Sequence, residues 1–223
     1  MVTQPPISSL RRTRVKMCGT TRREDALAAV RLGVDALGFI FYEKSPRYIA
    51  PENAAALFKC LPPFIDRVGV FVDAPLADVV QTARLGLSYV QLHGGESPDY
   101  CRDLREALPF CGLIKAFRVG AESRANDFTS YASCVDAFLL DTYIKGASGG
   151  TGLVFDWSII DRLQLQCPVI LAGGLSPANV ALAIAAVHPY AVDINSAIEV
   201  QPGIKDHRRL QDLMQVVAAI TCR

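Results

Sequence analysis

The chain has 223 residues, 51% of them hydrophobic, with 23 Lys and Arg against 22 Asp and Glu for a net charge of +1. That length admits one large α/β domain, the apolar content excludes disorder, and the charge balance gives no electrostatic case for nucleic acid or an anionic membrane as partner. No apolar run approaches the ~20 residues of a membrane span.

Residues 1–13 carry arginines and hydroxyls, no acid and no apolar h-region, so they read as a ragged N-terminal extension rather than a secretory signal. An organellar targeting remnant is the alternative. From residue 14 one rhythm fills the chain to 223. Val15, Lys16 and Met17 form a short strand that ends at or beside Cys18. Gly19 permits a turn, and Thr21-Arg22-Arg23-Glu24 fits the T-x-x-E box that opens a helix. The apolar face of that helix would carry Leu27, Val30 and Leu32.

ALGFIF (36–41) is the next strand, followed by a KSPRY loop and a helix from about Pro51. RVGVFVD (67–73) precedes a helical PLADVVQTARLG, and YVQLHG (89–94) precedes SPDYCRDLREAL. LIKAFRV (113–119) leads to a polar helix near 123–133, and DAFLLDT (136–142) to a long loop containing GASGGTG (146–152), whose four glycines suggest a flexible lid or a close backbone approach to a ligand, a plain mobile loop being the alternative. PVILAGG (168–174) precedes SPANVALAIAAV, with Ser176 as N-cap and Pro177 as first helical residue. YAVDIN (190–195) precedes a last helix near 206–220. Continuous apolar strands alternating with amphipathic helices, about eight times over, predict a single-domain (β/α)₈ barrel. No G-x-G-x-x-G follows a strand, which argues against a dinucleotide fold.

Parallel α/β folds bind ligands at the carboxyl ends of their strands. Here those ends carry Cys18, Asp73, Gln91 with His93, Arg118, Asp141, Gly173 with Gly174, and Asp193 with Asn195. Gly173, Gly174 and the following Asn195-Ser196-Ala197 suit a phosphate held by backbone N–H groups, so a small phosphorylated molecule is the expected ligand. Lys16 shares a face with Cys18 and is expected to favour its thiolate. Asp141 ends an apolar strand, where burial disfavours its charge; Lys16 and Lys115 would oppose this if they point into the barrel. His93 is one of three histidines and stands alone on the rim, so no metal site is expected. Cys18, Cys60, Cys101, Cys111, Cys134, Cys167 and Cys222 form no C-x-x-C pair, which points to reduced thiols and a cytoplasmic setting.

KMCGTT, GFIFYEKSPRYI, RVGVFV, VQLHGGE, LLDT, GGTGLVFDW, LAGGLSPANV and VDINS, in this order, span roughly residues 14–220. Together they resemble the phosphoribosylanthranilate isomerases, (β/α)₈-barrel enzymes of tryptophan biosynthesis. The resemblance implies an Amadori rearrangement with Cys18 as general base and Asp141 as general acid. It implies that Arg47 faces the anthranilate carboxylate, that Gly173, Gly174 and Ser196 hold the phosphate, and that Asp193 is the acidic residue ending strand eight. The reaction needs no redox change and hence no cofactor. The chain could be a monomer or a homodimer. One departure stands out: the family pattern S-G-V-E reads Ser196-Ala197-Ile198-Glu199 here. A positive φ would strain Ala197, so a negative φ is expected there.

Overall fold

The computed structural model describes residues 12–142 and 156–221. The expected lid at 146–152 lies outside the described residues, as does the extension up to residue 11. Eight parallel strands close into a barrel in sequence order: β1 (Arg14–Met17), β2 (Ala36–Ile40), β3 (Asp66–Phe71), β4 (Tyr89–Leu92), β5 (Gly112–Arg118), β6 (Ala137–Asp141), β7 (Val169–Ala172) and β8 (Ala191–Ile194). The barrel closes where β1 pairs with β8, with Lys16 opposite Asp193.

Alternate residues explain why these strands are mostly apolar on both faces. Val68, Ile114, Leu139, Ile170 and Ala172 fill the barrel interior. Their neighbours Leu37, Phe39, Leu92, Phe138, Leu140 and Val192 face the helix layer and are fully buried. Each such large side chain removed from water contributes about 1.5–3 kcal/mol. Lys16 faces the interior, as its pairing with Asp193 requires. Lys115 lies between the inward-facing Ile114 and Ala116 and points the other way. Its ammonium pairs with buried Glu96 at 3.0 Å and donates to the Gly94 carbonyl at 2.8 Å.

The helices between the strands are α1 (Arg23–Arg31), α2 (Pro51–Phe58), α3 (Leu76–Ala83), α4 (Pro98–Ala107), α5 (Asn126–Thr129), α6 (Ser158–Arg162), α7 (Val180–Val187) and α8 (His207–Thr221). Three expectations are corrected here. The Thr21 capping box does not form: Arg22 occupies the N-cap without a side-chain bond, and the Thr21 hydroxyl donates instead to the Gly203 carbonyl at 2.6 Å. The face of α1 against the barrel is lined by Ala26, Ala28 and Ala29, while Leu27 and Val30 are half-buried. The polar helix near 123–133 shrinks to the single turn of α5. Ser123 and Asp127 hydroxyl and carboxylate oxygens take the N–H groups of Gly120 and Arg124, competing with helix formation.

α7 also begins later than expected. Ser176 does not cap it; the Asn179 side chain reaches back to the Ser176 N–H at 2.8 Å, and regular helix starts at Val180. After β8 the chain makes a 3-10 turn over Ser196–Ile198. It then forms a hairpin of β9 (Glu199–Gln201) and β10 (Ile204–Lys205), which the sequence pattern did not reveal.

Candidate active site

The carboxyl ends of the strands surround a cavity of about 230 Å³. Eight of the ten expected site residues line it: Cys18, His93, Asp141, Gly173, Gly174, Asp193, Asn195 and Ser196. Arg47 and Ala197 stand beside it rather than in its wall. Asp73 and Arg118 also end strands but serve no part of the cavity lining. Asp73 holds a loop, accepting the Gly95 N–H at 2.6 Å, and Arg118 is exposed.

Cys18 follows β1, and its N–H continues the ladder by donating to the Ile194 carbonyl at 2.8 Å. Beneath it Lys16 donates to both oxygens of Asp193 at 2.9 Å, with side-chain exposures of 4% and 9%. Burial alone pulls Lys16 down, but the Asp193 carboxylate and the Cys18 sulfur outweigh it and hold the ammonium above its ordinary value. Burial pushes the Cys18 thiol up, Lys16 pulls it down, and Asp193 pushes it up again. The result lies above the usual thiol value, which corrects the expectation that Lys16 leaves Cys18 as thiolate. The cation is there, but burial of the sulfur outweighs its pull and Asp193 offsets it further.

At the end of β4, His93 Nδ1 meets buried Gln91 Nε2 at 2.9 Å. With the Gln91 amide donating, His93 carries its proton on Nε2, which faces Asp141 Oδ2 at 3.9 Å. Burial lowers the imidazole below its ordinary value, against the opposing pull of Asp141, so the ring is neutral at pH 7. Gln91 Oε1 is buried with no partner among the described residues.

Part of the lining is backbone. Gly173 and Gly174 both take positive φ, 95° and 63°, which turns the chain sharply after β7. Among the described residues the N–H groups of Gly174 and Ser196 have no acceptor. Two such donors on adjacent loops are suited to an anion's oxygens. Ala197 sits in the 3-10 turn and is absent from the residues with positive φ, so its methyl carries no backbone strain. Among the described residues no group of three or more His, Cys, Asp or Glu side chains is placed to hold a metal ion. No helix among them is long and apolar enough to cross a membrane.

The family model for N-(5'-phosphoribosyl)anthranilate isomerase matches residues 15–216. The chain belongs to the phosphoribosylanthranilate isomerase family. An isomerase of that name from Citrifermentans bemidjiense is 52% identical over 204 residues, covering 91% of this chain and 95% of the relative. A structure of monomers generated from the dimeric isomerase of Thermotoga maritima superposes with a TM-score of 0.79 at 38% identity, covering 92% of this chain and 98% of that one. A second family structure holds reduced 1-(o-carboxyphenylamino)-1-deoxyribulose 5-phosphate, with a TM-score of 0.78, 39% identity, and coverage of 93% and 99%. The chain is thus an isomerase of tryptophan biosynthesis on a (β/α)₈ barrel.

The fold also brings to the site's edge residues of the isomerase that the sequence pattern did not reveal. Glu199 and Lys205 face each other across the β9–β10 hairpin and pair at 2.8 Å. The signal was present as Glu and Lys flanking a Gln-Pro-Gly turn. Two- and three-residue strands, however, are too short to show a period.

Proposed function

We propose that this isomerase converts N-(5-phosphoribosyl)anthranilate to 1-(2-carboxyphenylamino)-1-deoxyribulose 5-phosphate, with Cys18 and Asp141 as its proton-transfer pair. The observation that carries the reading is that both line one cavity together with the Gly173–Gly174 turn, whose geometry suits an anion. The phosphate anchors at Gly173, Gly174, Asn195, Ser196 and Ala197. Asp141 protonates the furanose ring oxygen as the C1–O bond breaks and the nitrogen lone pair forms a C1–N iminium ion. Cys18 then removes the proton from C2, and the C2–H bond pair neutralises the iminium to give an enolamine. Tautomerisation of the enolamine yields the ketone.

Each group has a physical task in this scheme. Neutral His93 beside Asp141 presents an N–H to it but no full positive charge. Cys18 starts as a thiol in the free enzyme. Its ionisation relies on Lys16, and Asp193, once it accepts a substrate hydroxyl, shares its charge and frees more of the ammonium's field for the sulfur. The base is therefore the harder demand. Arg47 receives the anthranilate carboxylate from outside the cavity wall. A catalytically silent barrel would have been favoured by a strained Ala197, and Ala197 is unstrained.

The free thiols of Cys18, Cys60, Cys101, Cys111, Cys134 and Cys167 support a reducing, cytoplasmic setting. A homodimer is favoured over a monomer by the dimeric relative and by Phe64 and Phe110, both fully exposed where the chain enters β3 and β5. The test of the function is turnover. Purified protein should quench the anthranilate-type fluorescence of the substrate, and the gene should restore growth without tryptophan to cells lacking the isomerase. Tight binding without turnover would overturn the reading.

A further inference from the structure

Arg47 is held before any substrate arrives. Its Nε lies 3.0 Å from both carboxylate oxygens of Glu199, and its Nη2 lies 2.6 Å from Oε2. This side-on pairing occupies one edge of the guanidinium. The other edge remains: Nη1 has no acceptor among the described residues. The arginine side chain is 19% exposed and the glutamate 4%, so the open edge is the one toward solvent.

Two further contacts fix where that edge lies. The arginine arm crosses directly over Gly19, the residue after Cys18. A Cβ at Gly19 would sit 2.7 Å from Arg47 Cδ and 3.0 Å from Asn195 Oδ1. On the far side of the glutamate, fully buried Lys205 donates to Glu199 Oε1 at 2.8 Å and to Asn195 Oδ1 at 2.9 Å. Asn195 in turn lines the cavity.

Charge accounting gives the arrangement a purpose. A lone Glu199 would neutralise Arg47 and abolish its attraction for an anion. With Lys205 against the same carboxylate, two cations share one anion and the cluster keeps a net charge of +1. Burial raises the Glu199 carboxyl, but its bonds from Arg47 and Lys205 and the Gly203 N–H hold it below the ordinary value, so it stays ionised.

We propose that Glu199, charge-balanced by Lys205, is the positioning residue for Arg47, gripping one edge of the guanidinium so that the other meets the substrate carboxylate bidentately. The inference rests on Arg47 as the carboxylate-binding residue. Glu199 itself touches no substrate.

The test is a double-mutant cycle of Glu199→Gln and Arg47→Ala, with kcat and KM measured on N-(5-phosphoribosyl)anthranilate and on the aniline analogue that lacks the carboxylate. Glutamine keeps the shape and loses the charge, so E199Q should raise KM about tenfold or more and leave kcat within about threefold. In the Arg47→Ala background, and on the analogue, E199Q should change kcat/KM by less than about twofold. Glu199→Asp, which keeps the charge but retracts it by a methylene, should fall between wild type and E199Q; if E199Q does not fold, the cycle is run with it. An equal loss with and without Arg47, or an equal loss on the analogue, would make Glu199 a structural brace and overturn the proposal while Arg47 keeps its role. If Arg47→Ala fails to distinguish substrate from analogue, the Arg47 reading falls and the proposal falls with it.

Discussion

Asp193→Asn removes the counter-ion of a buried ammonium and tests the electrostatics under Cys18. Both Asp193 oxygens accept from Lys16 at 2.9 Å, in surroundings where the two side chains are 4% and 9% exposed. Breaking a buried pair by removing one partner costs about 3–5 kcal/mol. Asparagine keeps one acceptor for the ammonium, which places the cost near the lower end, about 3 kcal/mol. A domain of this size loses roughly 2–4 °C of Tm per kcal/mol, so Tm should fall by about 6–12 °C. The sign with pH follows from the direction of the shift. Lys16 is held above its ordinary 10.5 in the fold, so its contribution is complete below that value and is lost only as pH rises through the folded-state value. The deficit should therefore be flat across neutral pH. A second consequence runs the other way. Asp193 pushes the Cys18 thiol up and Lys16 pulls it down, so removing the carboxylate should make the thiol more acidic even as the fold weakens. Calorimetry reads the first effect. The second is read by peptide-resolved iodoacetamide alkylation against pH, with half-buried Cys60 as the internal control. A Tm within about 2 °C of the parent, or a Cys18 alkylation onset that moves to higher pH, would refute the reasoning.

Three further outcomes are expected. Cys18→Ser should abolish turnover while leaving product Kd nearly unchanged, because an unactivated hydroxyl is too weak a base; activity within about tenfold of the parent would remove Cys18 from the role. Asp141→Asn should cost at least ~10²-fold in kcat, with product affinity equal or better since an anionic group has left the cavity; a defect confined to product binding would rule out the general acid. Ala197→Gly should destabilise the fold by up to about 1 kcal/mol in a denaturant titration, because a right-handed turn residue gains backbone freedom in the unfolded chain. Tighter phosphate binding in that variant would show that the methyl obstructs the anion.

The barrel was legible in the sequence because parallel strands buried on both faces are apolar on both faces along most of their length. Leu139 fills the interior while Phe138 and Leu140 meet the helices, and no polar residue can interrupt that run cheaply. The rim was legible for the complementary reason: Cys18, Asp141 and Asp193 are polar groups at the ends of apolar strands, where only a site gives them partners. What one-dimensional pattern could not decide was which partner each would find. Lys16 and Cys18 share a face by strand geometry. That Asp193 takes the ammonium's charge depends on β1 meeting β8, 177 residues apart in sequence. Thr21 fits a local capping box, in which its oxygen would accept a backbone N–H, but its hydroxyl turns to the hairpin and donates to the Gly203 carbonyl. The setting of Arg47 depends on that same hairpin, 152 residues downstream, whose Glu199 and Lys205 carry meaning only once the barrel has closed and placed them against it. Backbone periodicity is local and survives in the sequence; the balance of buried charges belongs to contacts across the closure, and the tertiary structure alone decides it.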